Sequence, residues 1–178
     1  MSAIIVYEMT ATVTSLLPKK LAIGWFSFTC SEDSTILLTE LLNTHFDEWK
    51  NLVEFKHFKA LKTDNDLTNL DVAFIEGAIS SEKQAIEVKK IRENAKYVVA
   101  IGACACTGMP SSSRNAFTDA EISGKIADYL KRFDYNSKVK KLADVIKVDD
   151  EVPGCPMRVD TFLAILNKYL NLTVDVGK

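Results

Sequence analysis

Tyr97-Val98-Val99-Ala100-Ile101-Gly102 runs from an aromatic residue to a glycine without a charge and without polar–apolar alternation. A strand with one face in water would alternate with a period of two. A run that is apolar on both sides reads as a strand buried on both faces, of the kind found in parallel sheets. Leu21-Ala22-Ile23-Gly24-Trp25-Phe26-Ser27-Phe28 and Asp71-Val72-Ala73-Phe74-Ile75-Glu76-Gly77 share that character, and Val53 to Phe58 alternates as an edge strand would. Helical patterns lie between them. Ser31 or Asp33 is placed to cap a helix on which Ile36, Leu37, Leu41, Leu42, His45, Phe46 and Trp49 recur at helical spacing. Ser81 with Gln84 opens a second helix to about Glu93, and Thr118 with Glu121 a third, with Ile122, Ile126, Leu130 and Phe133 on one face. Val145 to Val148 reads as a weak fifth strand, and Phe162, Leu163, Leu166 and Tyr169 mark a last helix. Strand–helix alternation of this kind, with right-handed connections, predicts an α/β fold: a flavodoxin-like three-layer sandwich with a parallel sheet.

At roughly 150 residues per domain, 178 residues make a single domain over 1–178, with 1–18 as an N-terminal extension suited to a partner contact. Apolar residues at 47% and charged residues at 26% are the balance of a soluble globular chain. A net charge of −2, with no Lys/Arg block longer than a pair, argues against a nucleic-acid partner. No uncharged apolar window is long enough for a membrane span. Met1 to Leu17 has neither a basic leader region nor a twin arginine, so a cytoplasmic location is expected.

Four cysteines occur, at 30, 104, 106 and 155, in neither the paired C-x2-C spacing of zinc ribbons nor the clustered run of ferredoxins. Taken alone, each is a small buried hydrophobe. Their positions on the predicted fold change that reading. Ligands of open α/β sheets sit beyond the carboxyl ends of the strands. Cys30 follows the first strand, Cys104 and Cys106 the fourth, and Cys155 the weak fifth, so all four converge on one edge. A [4Fe-4S] cluster accepts four thiolates at any sequence separation, and wants close main-chain approach and N–H donors. Gly102, Gly108 and Gly154 flank these cysteines, and Pro153 and Pro156 stiffen the loop around Cys155. Structural zinc would more commonly show compact ligand pairs. Cys104-Ala105-Cys106 is too short for an unstrained disulfide. The chemistry favours iron–sulfur.

Gly24-Trp25-Phe26-Ser27-Phe28-Thr29-Cys30-Ser31-Glu32-Asp33-Ser34, Asp71 to Ile79, Ala100-Ile101-Gly102-Ala103-Cys104-Ala105 and Val152-Pro153-Gly154-Cys155-Pro156 together resemble the small subunit of [NiFe]-hydrogenases. That family is shared with the 20-kDa iron–sulfur subunit of respiratory complex I. The resemblance implies that Cys30, Cys104 and Cys155 hold one proximal [4Fe-4S] cluster. The fourth ligand is where this sequence departs. The family places another cysteine at the position of Ser27 or of Thr29, and neither is Cys here. Cys106 is one replacement, a carboxylate from Asp33 or Glu32 another, and an open or water-bound iron a third.

The same resemblance implies an oxidoreductase role as the electron-transfer subunit of a cytoplasmic [NiFe]-hydrogenase. Its partners would be a large subunit that carries the nickel–iron site and, downstream, further electron-transfer subunits or an acceptor. The alternative is a complex I-type subunit passing electrons to quinone. The absence of a tandem cysteine and the presence of Met109-Pro110 speak against it. Glu76 sits at the family's E-G motif. A strand-end carboxylate bonded to backbone N–H groups is the reading preferred over a proton relay. His45 and His57 read as structural, Trp25 and Phe26 as core. Met109 to Asn115 is a plain connection or part of the partner surface.

Overall fold

The computed structural model describes residues 19–122 and 126–175. The N-terminal stretch expected to contact a partner lies outside the described residues. Five strands form one sheet: β1 (Leu21–Ser27), β2 (Val53–Phe58), β3 (Leu70–Glu76), β4 (Ala95–Ile101) and β5 (Asp150–Val152). Their order is β2-β1-β3-β4-β5 and every neighbouring pair is parallel. This is the flavodoxin-like order expected from the sequence.

The near-continuous apolar strands do what their composition requires. β3 is buried at all seven positions, because successive side chains enter opposite layers. Trp25, Val72, Phe74, Val99 and Ile101 pack one layer, against Leu38 and Trp49 of α1 (Asp33–Trp49) and Phe162 and Leu166 of the C-terminal helix Val159–Asp175. Phe26, Ala73, Ile75, Val98 and Ala100 pack the other, against Ala85, Val88 and Ile91 of α2 (Glu82–Asn94). Three layers result.

Three local expectations change, and one element is added. The fifth strand is Asp150–Val152, not 145–148, and it begins just beyond Asp149, whose carboxylate accepts from Val98 N (2.9 Å) and Arg92 Nη1 (2.7 Å). A short, largely buried element, α3 (Gly102–Thr107), follows β4 directly and carries Cys104 and Cys106, an element the sequence reading did not assign. On α1, Ile36 and Phe46 are exposed and Leu38 takes the core position instead, since the helix rests on the sheet through a narrower stripe than the spacing suggested. The helix opened by Thr118 has its full capping box, but Asp119–Glu121 and Ala127–Arg132 lie on the surface: Ile122, Ile126 and Leu130 are half-buried and Phe133 is exposed. No helix among the described residues is long and apolar enough to cross a membrane.

Candidate metal centre at the carboxyl edge of the sheet

β1 and β3 are the strands at which the sheet order reverses, and the chain leaves them in different directions: from β1 into α1, from β3 into α2. The crevice this opens is the usual ligand position in such sheets. Here it is narrow because Gly77 lets two backbones touch. At φ 97° it sits where L side chains are disfavoured, and a Cβ would stand 2.8 Å from Thr29 N. The Cys30 loop therefore lies directly on the Gly77 turn, with Thr29 and Ala78 exchanging both backbone hydrogen bonds (3.1 and 3.0 Å).

Glu76 closes the same corner. Its carboxylate is buried, 3% exposed, and accepts from Ser34 N (3.1 Å), Thr35 N (3.1 Å) and Thr35 Oγ1 (2.7 Å). Neither Ser31 nor Asp33 caps α1: the N-cap is Glu32, in a left-handed conformation and without a side-chain cap bond. A carboxylate from β3 does the capping instead, where the helix dipole favours negative charge. All of its bonding goes to α1, which is the structural reading of Glu76.

The cysteine-bearing segments are tied together by backbone. Ala103 N, at the start of α3, donates to Gly154 O (2.6 Å), and Met157 N donates to Ser34 Oγ (3.2 Å). Gly102 permits this approach; at φ 78° its Cβ would meet Ser34 Oγ at 3.2 Å and Gly154 O at 3.5 Å. Ser111 Oγ donates to Thr29 O (3.1 Å) and lies 3.3 Å from Cys104 Sγ. Ser111 belongs to the Met109–Asn115 stretch, which is thus more than a connection: it touches the site. Its only sequence signal was a serine run next to the Cys104 motif.

Cys30, Cys104 and Cys155 line one recess, together with Asp33, Ser34 and Glu76. Cys155 Sγ lies 3.9 Å from Asp33 Oδ2. The free space among them is about 10 Å3, roughly the room of a single water. Among the described residues no three His, Cys, Asp or Glu side chains are gathered at metal-ligand distance. Burial, then the Glu76 charge, push the Cys30 thiol up to about 12, while the Glu32 N–H beside the sulfur pulls it down. A metal held by this sulfur would take the place of the thiol proton.

Cys106 stands apart. Two helical positions beyond Cys104, it is rotated by about 200° around the α3 axis. It packs in the layer of Ala105 and Leu142, and its thiol donates to Ala100 O (3.6 Å). Burial, then the Glu151 charge, push its thiol up to about 12. The expected convergence of four thiols on one edge is thus a convergence of three, because a C-x-C spacing on a helix sends its two side chains to opposite sides. Glu32 is not among the residues of the recess and lines a separate cavity of about 260 Å3 with His57 and Lys59, although its charge is felt by the Cys30 thiol. His57 is buried, stacked on Phe26 at 4.2 Å with Nδ1 3.1 Å from Trp25 O, and His45 stacks on Trp49 at 4.8 Å. Both are structural, as read.

The donor chemistry fits an iron–sulfur cluster. Three thiols come from the ends of three different strands, Glu32 N–H and Ser111 Oγ lie beside two of the sulfurs, and two left-handed glycines, at 102 and 154, let main chain close on the recess. The fold and this edge define a flavodoxin-like α/β domain with a thiol-lined crevice. The family model described as "NADH ubiquinone oxidoreductase, 20 Kd subunit" matches residues 30–169. The chain belongs to that family, the one shared by complex I 20-kDa subunits and [NiFe]-hydrogenase small subunits.

Among curated relatives, a subunit of the F420-non-reducing hydrogenase of Methanothermobacter marburgensis is 32% identical over 60% of this chain and 39% of its own length. The delta subunit of the NAD-reducing hydrogenase HoxS of Cupriavidus necator is 27% identical over 56% of this chain and 55% of its own. The delta subunit of sulfhydrogenase 2 of Pyrococcus furiosus is 24% identical over 75% and 54%. The chain thus spans between two-fifths and just over half the length of these relatives. A chain of an NAD+-reducing [NiFe]-hydrogenase solved in the H2-reduced state shares the fold, with TM-score 0.70 and 20% identity over 85% of this chain and 92% of that one.

Proposed function

We propose that this chain is the electron-transfer small subunit of a cytoplasmic [NiFe]-hydrogenase and holds one [4Fe-4S] cluster through Cys30, Cys104 and Cys155. It would relay electrons between the nickel–iron site of a large subunit and a downstream acceptor. The observation that carries this is that three thiols, from beyond the ends of β1, β4 and β5, line one recess at the edge where such sheets bind ligands. The relatives described above are hydrogenase subunits, which favours this reading over the quinone-linked one. A bound cluster supplies one-electron transfer. The residues of the chain set its surroundings: the Gly77 and Gly102 turns bring main chain close, the Glu32 N–H faces the Cys30 sulfur, and Glu76 holds the start of α1 beside the recess.

An edge that exchanges electrons must be covered closely by its partner, so the chain is expected to co-purify at one to one with a large subunit. The test is anaerobic co-expression with that subunit, with iron, sulfide and visible absorption followed across the size-exclusion peak. The expected result is a brown complex with close to one cubane per small subunit and no nickel in this chain. Cys30→Ala, Cys104→Ala and Cys155→Ala should each lose cluster and hydrogen turnover together. A colourless complex, or a Cys104→Ala complex with a normal cluster spectrum and full activity, overturns the assignment.

A further inference from the structure

A cubane presents four irons to the protein, and the recess offers three thiols. The remaining ligand can be sought among the groups that reach the same space. Ser27 and Thr29 stand where the family carries its further cysteine, and both hydroxyls are turned elsewhere. Ser27 Oγ is 3.1 Å from Thr35 Oγ1 and lines the His57 cavity. Thr29 Oγ1 is 2.6 Å from Ser80 Oγ and 3.2 Å from Gln84 Nε2. Cys106 is in the core behind β4, bonded to Ala100 O. Glu32 lines the His57 cavity and is not among the residues that line the recess. Glu76 does line the recess, but both of its oxygens accept bonds from α1, and withdrawing either would leave helix N–H groups buried without partners.

Asp33 has none of these commitments. It is the first residue of α1 and half-buried, and it lines the recess beside Cys30 and Cys155. Its Oδ2 accepts from the Cys155 thiol (3.9 Å), itself a lining group of the recess, and from the exposed Ser31 hydroxyl (2.8 Å), which water can replace. Its Oδ1 has no hydrogen-bond partner among the described residues. Resting on the cluster reading above, we infer that Asp33 is the fourth ligand: one iron of the cluster is bound by a carboxylate oxygen instead of a thiolate.

The consequence follows from ligand softness. Thiolates select iron–sulfur chemistry, whereas carboxylate oxygen is a harder and weaker partner for that iron. The iron that Asp33 would hold would therefore be the one most readily lost: with one electron taken by an external oxidant such as ferricyanide and one ferrous ion taken by a chelator, a four-iron cluster would become a three-iron one kept by the three thiolates.

The test uses the co-expressed complex, prepared anaerobically as wild type, Asp33→Ala, Asp33→Cys and Cys106→Ala. Iron per chain, sulfide per chain and electron paramagnetic resonance are recorded before and after ferricyanide with EDTA. Wild type should start with a full cubane, lose one iron in four and develop the signal of an oxidised three-iron cluster. Asp33→Ala should purify already short of that iron with its sulfide retained. Asp33→Cys should keep all its iron under the same treatment, and Cys106→Ala should behave as wild type. A wild-type complex with no iron and sulfide at all would end the cluster reading itself. A wild-type cubane that Asp33→Ala leaves unchanged in iron count, spectrum and chelator loss overturns the Asp33 assignment alone, as does loss of one iron in Cys106→Ala with Asp33→Ala intact. Should Asp33→Cys fail to assemble, the Asp33→Ala comparison still decides.

Discussion

Replacing Glu76 with Ala removes the group that joins the end of β3 to the start of α1. The carboxylate is buried and accepts from Ser34 N, Thr35 N and Thr35 Oγ1. The hydroxyl keeps other partners, since Trp25 Nε1 donates to it (2.8 Å) and Ser27 Oγ lies 3.1 Å away. The two N–H groups keep none, because they belong to the first turn of the helix, where no carbonyl is available. At roughly 1–3 kcal/mol for each orphaned buried donor, and about 1 kcal/mol for the lost negative charge at the helix N-terminus, the cost is about 3–7 kcal/mol. That is a large share of the roughly 5–15 kcal/mol that holds a domain folded. Glu76→Gln keeps one acceptor oxygen but turns an NH2 toward a donor, so one N–H is orphaned and the charge is lost, at about 2–4 kcal/mol. Urea unfolding followed by far-ultraviolet dichroism gives both values from the midpoint at constant slope. A Glu76→Ala protein that loses less than about 1 kcal/mol with an unchanged slope would refute the capping argument.

Cys106→Ala should cost about 1–2 kcal/mol in the same assay, since it removes one buried sulfur from a packed layer; a neutral result would mean that the site collapses freely. Ser111→Ala should shift the midpoint potential of the bound cluster and leave iron content unchanged, because Ser111 Oγ lies 3.3 Å from Cys104 Sγ and Thr29 O retains Ala78 N as a partner without it; an unmoved potential in a spectroscopic redox titration would remove Ser111 from the site. Acid should destabilise the sheet through Asp71 and Asp149. Burial raises both carboxyls but is outweighed, at Asp71 by Lys96 and Ala22 N–H and at Asp149 by Val98 N–H, Lys147 and Arg92, so both end below the usual range. With folded values below unfolded ones, their contribution is full above about pH 4 and is lost as pH falls through the folded values. Urea midpoints should therefore drop below about pH 4 in wild type and drop less in Asp71→Asn. His57 adds a milder loss in the same direction, starting near its ordinary range at about pH 6.5, because burial lowers its affinity for protons. His57→Gln should flatten that part of the midpoint–pH curve.

The strands were legible because burial on both faces leaves a mark that no neighbour can erase: β1, β3 and β4 are nearly uninterrupted apolar runs, and three apolar strands with helices between them have few stable arrangements. The sheet order and the edge that carries the cysteines follow from that pattern. So do Cys30, Cys104 and Cys155, which lie just past strand ends, where any ligand of such a sheet must bind.

Tertiary structure decided what depends on direction rather than position. Cys104 and Cys106 are indistinguishable as letters two apart, and only the turn of helix at 102–107 sends one sulfur to the crevice and the other into the core. Glu76 reads as a strand-end acid, yet its bonds are made to residues more than forty positions away, a separation at which local pattern carries no information. Ser31 and Asp33 both suit an N-cap, and that role passed to Glu76 once β3 had placed a carboxylate against the first turn of α1. Asp33 is left beside Cys155 because of that substitution. A sequence records which groups a chain possesses; which of them face one another is settled only when the sheet brings distant strand ends together.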